Sequence, residues 1–223
     1  MMFHPLAEQT VLSLKLGGVV CEFGNQRYGG ERGHASVKEF YLANGFTEYR
    51  ALDVNTDKDA IIADLNEPVD IGWQFDLVTN NGTSEHLFDQ RRVFENAHNL
   101  CVQGGTMLHI LPYTPWINHG FFNYNPIVFR DLAAANGYTM TLARIANRWG
   151  NGVTLDADWA YIEKRPEQLQ RATLEVLNYG RGEPFVVFAF VKETDAPFRV
   201  PHQGKYLKDI ESEALRERYA VRT

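Results

Sequence analysis

Val19-Val20-Cys21-Glu22-Phe23-Gly24 is the stretch on which the fold reading turns. A short apolar, β-branched run closed by a glycine reads as a buried parallel strand entering a turn, because a strand covered on both faces does not alternate polar with apolar residues. On its N-terminal side, residues 6–16 carry Leu6, Val11, Leu12, Leu14 and Leu16 and end at Gly17-Gly18, which predicts a helix. On its C-terminal side, after a polar, glycine-rich stretch (25–33), Val37, Phe40, Tyr41 and Leu42 recur at helical spacing and stop at Asn44-Gly45.

The same alternation continues along the chain. Residues 49–52 and 60–63 read as short strands, each followed by a carboxylate, Asp53 and Asp64. Residues 75–79 form a further strand and 87–102 an amphipathic helix ended by Gly104-Gly105. Residues 106–111 are a strand, 126–136 a helix ended by Gly137, 138–143 a strand, and 185–191, after Pro184, the last strand. Strands that alternate with helices predict an α/β fold with a mostly parallel sheet between two helical layers. The whole chain, 1–223, reads as one domain, with an insertion at about 148–183 and a helical tail ending in a charged helix over 210–219.

Composition narrows the function. Hydrophobic residues make up 44% and charged residues 22%, the balance of a folded globular chain. With 22 Lys+Arg against 28 Asp+Glu the net charge is −6, the wrong sign for gripping nucleic acid. Cys21 and Cys101 are the only cysteines, far apart and without a CxxC pair, which fits a reducing compartment and gives no cysteine zinc site. No apolar run reaches the length of a membrane span, and the first residues lack the basic and apolar segments of an export signal, so a cytoplasmic location is expected.

In doubly wound sheets the ligand lies beyond the carboxyl ends of the strands, where the strand order reverses. The residues there are Glu22-Phe23-Gly24-Asn25-Gln26, Asp53-Val54-Asn55, Asp64-Leu65-Asn66, Asn80-Asn81-Gly82-Thr83-Ser84-Glu85-His86 and Pro112-Tyr113. An acid and a glycine after the first strand, acids after the second and third, and a polar motif after the fourth resemble the class I S-adenosylmethionine-dependent methyltransferases over about residues 18–145. More narrowly, LVTNNGTSEHLFDQ (77–90), GGTMLHILPY (104–113) and HGFFNYNP (119–126) are similar to a poorly described group of bacterial methyltransferase-domain proteins in which an E-x-G-N-Q turn replaces the glycine-rich one.

The resemblance implies a three-layer, Rossmann-like, seven-stranded sheet of order 3-2-1-4-5-7-6 with the last strand antiparallel. The cofactor, S-adenosylmethionine, would lie over the first, second and fourth strands. Gly24, with Asn25 and Gln26, would let the backbone approach the cofactor, and Glu22 would face the methionine amine. Asp53, beside Val54, would accept from both ribose hydroxyls, and Asp64 would accept from the adenine amino group while Leu65 packs on the ring. Asn80 and Gly82 would lie near the sulfonium, and His86 close to the cofactor.

The acceptor is expected at the aromatic loop 116–125. His119, among aromatics beside a methyl donor, has the chemistry of a general base. Trp116, Asn118, Phe121 and Tyr124 would line or orient a small-molecule or glycan-like acceptor. His109, inside an apolar strand, reads as a hydrogen-bonded core residue. His34, Glu85 and His119 show no recognisable metal-ligand spacing, so no metal is expected. The 148–183 insertion has the composition of a lid, a homodimer interface or an ordinary packing helix. Two rivals stand beside the transferase reading: a degenerate domain of the same fold that binds a partner or senses the cofactor without catalysis, which the single glycine of the first turn leaves open, and an NAD-dependent dehydrogenase, which would want a G-x-G-x-x-G run after the first strand that is absent here.

Overall fold

A computed structural model describes residues 2–55, 60–155, 166–178 and 183–219. The strands are β1 (Met2–Phe3), β2 (Gly18–Phe23), β3 (Arg27–Tyr28), β4 (Phe46–Asp53), β5 (Ala60–Ile62), β6 (Phe75–Asn81), β7 (Cys101–Pro112), β8 (Thr139–Asn147), β9 (Gly152–Thr154) and β10 (Pro184–Val191). The described helices are α1 (Pro5–Leu14), α2 (Val37–Ala43), α3 (Gln90–Leu100), α4 (Pro126–Asn136), α5 (Pro166–Asn178) and α6 (Glu213–Tyr219). Eight strands form one sheet in the order β5-β4-β2-β6-β7-β10-β8-β9. The first seven positions reproduce the expected 3-2-1-4-5-7-6 order, with β10 antiparallel to both β7 and β8. The eighth, β9, was not expected: it pairs antiparallel with β8 inside the insertion.

The strands carry apolar residues on both faces because each face has its own helical layer. Leu6, Ala7 and Val11 of α1 and Val37, Phe40 and Tyr41 of α2 cover one side, against Val20, Tyr49 and Leu77. Val93, Phe94 and Ala97 of α3, Phe129 and Leu132 of α4 and Val176 of α5 cover the other, against Cys21, Val78 and Phe188. Helix α5 is therefore a packing helix on β8, β9 and β10. Residues 156–165 and 179–182 of the insertion, Trp159 and Tyr161 among them, lie outside the described residues. No helix among the described residues is long and apolar enough to cross a membrane.

Local signals set most boundaries. Helix α4 starts where the Asn125 side chain accepts from the Ile127 amide at 3.1 Å and Pro126 supplies a pre-set first turn. It stops at Gly137, whose φ of 65° is the left-handed cap that glycine adopts without strain. The other glycine pair misleads. Helix α3 runs over Gln90–Leu100 and Cys101 is already extended, so Gly104-Gly105 lies within β7 and does not end the helix. There Gly104 (φ 81°) donates to the Lys192 carbonyl at 2.7 Å, a bulge that shifts the register of β7 against β6. Strand β6 extends to Asn81, and the tail helix begins at Glu213, after a 3-10 segment over Gly204–Asp209. A small parallel pair, β1 with β3, ties the N-terminus to the glycine-rich stretch after β2.

Candidate active site at the strand ends

The strand order reverses between β2 and β6, and two neighbouring clefts open at the carboxyl ends there. The first, of about 270 Å³, has Gly24 and Asn25 after β2, Asp53 and Val54 after β4, Ala63 and Leu65 after β5, and Thr83, His86 and Leu87 after β6. The second, of about 320 Å³, is lined by His86, Asn118, His119, Gly120 and Phe121. His86 is the wall between them.

In the first cleft the turn after β2 is shaped by Gly24. Its φ is 83°, its amide donates to the Leu52 carbonyl at 2.7 Å, and a Cβ there would stand 2.6 Å from Thr83 Oγ1. The next amide, Asn25, donates to Asp53 Oδ2 at 2.7 Å, while Asp53 Oδ1 accepts from the Asn55 amide and side chain, both at 3.0 Å. A carboxylate offers about four acceptor positions. Three are taken, so Asp53 has about one left for a ligand, where two had been expected for the ribose.

The second cleft rests on a turn fastened from below. Asn80 accepts from the Ser84 amide at 3.2 Å and donates to Ser84 Oγ at 3.0 Å, which winds Ser84–His86 into a 3-10 turn. The Tyr124 hydroxyl donates to Gln90 Oε1 at 2.6 Å and meets Ser84 Oγ at 2.8 Å, and Gln90 donates to the Ser84 and Leu87 carbonyls. The aromatic loop is then pinned on top: Phe121 and Phe122 donate to the Glu85 carbonyl at 2.7 and 3.3 Å. Gly120 permits this, since a Cβ there would lie 2.8 Å from that carbonyl.

These contacts bring Glu85, His86 and His119 together. Glu85 is 1% exposed, and its Oε1 lies 3.7 Å from His86 Nε2 and 3.4 Å from His119 Nε2. Its Oε2 is buried with no hydrogen-bond partner. Burial pushes the Glu85 carboxyl up to about 7, against the pull of a backbone hydrogen bond. Burial, then the neighbouring His119, lowers His86 below the usual imidazole range. The two imidazoles meet edge to face at 5.1 Å, and Trp116 packs on His119 at 4.5 Å while its indole donates to the Pro184 carbonyl.

Several expected residues sit elsewhere. Glu22 is not in the lining of the first cleft: it is fully buried on the α1/α2 side, where Tyr49 donates to its Oε2 at 2.7 Å and burial raises its carboxyl to about 8. Its hydrogen-bond partner there is Tyr49, and the side chain is not part of the cleft wall. Gln26 is buried and pairs with Asn81, not with a ligand cleft. Asn80, 1% exposed, spends both ends of its amide on Ser84 and on His109. Gly82 donates to the Ile110 carbonyl and lines neither cleft. Asp64 Oδ1 accepts from Asn66, an Asx turn at the rim, while its neighbours Ala63 and Leu65 line the cleft. Tyr124 is buried and its hydroxyl is engaged with Ser84 and Gln90 beneath the turn. His34 stands near Glu39, 4.0 Å away, and is no part of the Glu85 group. Glu85, weighed from the sequence only as part of a metal set with His34 and His119, here stands beside His86 and His119. The usable signal was its place in a loop after β6, next in the sheet to β7, whose own loop carries His119.

No protein-family model matches the chain, and no curated protein matches it. Solved structures do. Burkholderia thailandensis 1,6-didemethyltoxoflavin-N1-methyltransferase, solved with 1,6-didemethyltoxoflavin and S-adenosylhomocysteine, is 14% identical with a TM-score of 0.53, over 84% of this chain and 77% of that one. Haemonchus contortus phosphoethanolamine N-methyltransferase 2, in complex with S-adenosylmethionine, is 14% identical with a TM-score of 0.52, over 84% of this chain and 52% of that one. The YcgJ protein of Bacillus subtilis is 10% identical with a TM-score of 0.52, over 84% and 98%. Likeness at these identities establishes the fold alone, a Rossmann-like, mostly parallel sheet between helical layers.

Proposed function

We propose that the protein is an S-adenosylmethionine-dependent methyltransferase acting on a small-molecule or glycan-like acceptor through oxygen or nitrogen. The observation that carries the reading is the pair of clefts at the strand reversal, one adenosine-facing in its chemistry and the other bearing His119, with His86 between them. In the first, Leu65 supports the adenine ring and the open acceptor position of Asp53 takes a ribose hydroxyl. The methyl-bearing sulfonium then lies toward His86, and the acceptor enters beside His119, Asn118 and Phe121.

The reaction is an in-line displacement. A lone pair of the acceptor forms the new bond to the methyl carbon, the carbon–sulfur bond breaks with its electrons on sulfur, and a neutral thioether leaves. The acceptor's proton is released at the Glu85–His86–His119 group, to which His119, the expected base, belongs. The cofactor brings its own activation, so the chain supplies alignment and a proton path. Both cysteines are free and buried, in keeping with a cytoplasmic setting.

Calorimetry with S-adenosylmethionine, S-adenosylhomocysteine and NAD tests the reading. Binding of the two sulfur ligands is expected. Binding of NAD alone refutes it in favour of a dehydrogenase, and sulfur-ligand binding with the same affinity after Asp53→Ala refutes the placement in this cleft.

A further inference from the structure

We propose that Glu85, His86 and His119 form a binding site for one divalent transition-metal cation of the zinc type, open toward the acceptor cleft. One ligand atom from each residue lies within 4.8 Å of the others. A zinc ion bound at about 2.0–2.1 Å in tetrahedral geometry sets its ligand atoms about 3.4 Å apart. The Glu85 Oε1 separations from His119 Nε2 and His86 Nε2, 3.4 and 3.7 Å, already stand at or near that value. The remaining closure falls to the two imidazoles, whose side chains are 37% and 38% exposed.

A second observation points the same way. Glu85 Oε2 is buried without a partner, an uncommon condition for a carboxylate oxygen in a region otherwise closely hydrogen-bonded. A cation on this carboxylate compensates its burial. The backbone is also set in advance, since the loop carrying His119 is hydrogen-bonded to the carbonyl of Glu85 itself, at the close approach that Gly120 permits. Two imidazoles and one carboxylate, with no thiolate near, leave at least one coordination position facing the cleft lined by Asn118 and Phe121.

What the ion does there rests on the transferase reading: as a Lewis acid it holds an acceptor oxygen and eases loss of its proton to solvent, with His119 as ligand in place of base. Whether it binds does not rest on that reading. The test uses untagged, chelator-treated full-length chain, titrated calorimetrically with zinc chloride and, in parallel, with cobalt(II), whose visible absorption reports coordination number. One ion per chain is expected, with four- or five-coordinate cobalt spectra. His86→Ala and His119→Ala should each weaken zinc binding at least about 100-fold, and His34→Ala should leave it unchanged. Circular dichroism confirms that each variant is folded, and the partly exposed histidines are the primary variants because Glu85→Gln alters a buried group. Failure of the folded wild type to take up zinc, or equal affinity in either histidine variant, overturns the site. S-adenosylhomocysteine titrated into the same samples separates the two proposals: its binding without zinc binding refutes the ion alone, and zinc binding without it refutes the transferase alone.

Discussion

Replacing Glu22 by glutamine should stabilise the protein in neutral and alkaline buffer, by an amount that grows with pH. Glu22 is fully buried beneath Tyr49, and burial lifts its carboxyl from 4.5 to about 8 against the opposing Tyr49 hydrogen bond. Between those values the unfolded chain has released a proton that the folded chain still holds. Stability from this group is therefore complete below pH 4.5 and falls as pH rises, by about 1.4 kcal/mol per unit, until about pH 8. Across the window the loss is on the order of 5 kcal/mol, a large share of the roughly 5–15 kcal/mol that holds a domain together. Glutamine has the shape of the neutral acid, keeps an oxygen for Tyr49 and has no proton to lose. Urea denaturation of both proteins at pH 5, 6, 7 and 8 measures the effect, and the difference between them cancels every other titrating group. An E22Q advantage that does not change with pH refutes the assignment of Glu22 as a buried neutral acid.

Further outcomes follow from the site. Gly120→Ala places a Cβ 2.8 Å from the Glu85 carbonyl; methyl transfer should fall at least about 10-fold while S-adenosylhomocysteine affinity stays within about 3-fold, since the first cleft is untouched. Tyr124→Phe removes the hydroxyl between Gln90 and Ser84 and should cost about 1–2 kcal/mol of stability by chemical denaturation. On the acid side, burial lowers His109 to about 3 and His4, with help from Arg148, to about 4. Each then contributes stability that is complete above about pH 6.5 and is lost as pH falls toward the folded value, by about 1.4 kcal/mol per unit. His109→Gln should flatten that decline in melts between pH 4 and 7, and an unchanged slope would remove His109 from the acid response.

The fold was legible because its strands are buried on both faces. Apolar runs such as 185–191 and 19–23 permit few other readings, and helix α4 carries its own cap, first-turn proline and terminal glycine. Strand β9, three residues long, has no pattern to recognise, and Gly104-Gly105 looks the same in sequence whether it ends a helix or bulges a strand. The site was less legible. Its location followed from topology, and His119, Asn118 and Phe121 do line a cleft with His86. What the sequence does not reveal is which polar residues after a strand bond within the chain: Asn80, Gln26 and Tyr124 hold turns together, and only tertiary packing decides that. Glu22 misled because the pleat alternates faces, and its side chain shares the face of Val20. Glu85 and His119 are distant in the chain and adjoin only because β6 and β7 are neighbours.

His86 stands in both clefts at once, so a ligand in one that favours a particular rotamer of the ring would alter the affinity of the other. For any two ligands that differ in the rotamer they favour, the effect of each on the other would be equal. On the transferase reading proposed above, that would let donor and acceptor sense one another through a single torsion angle, without any movement of the sheet beneath them.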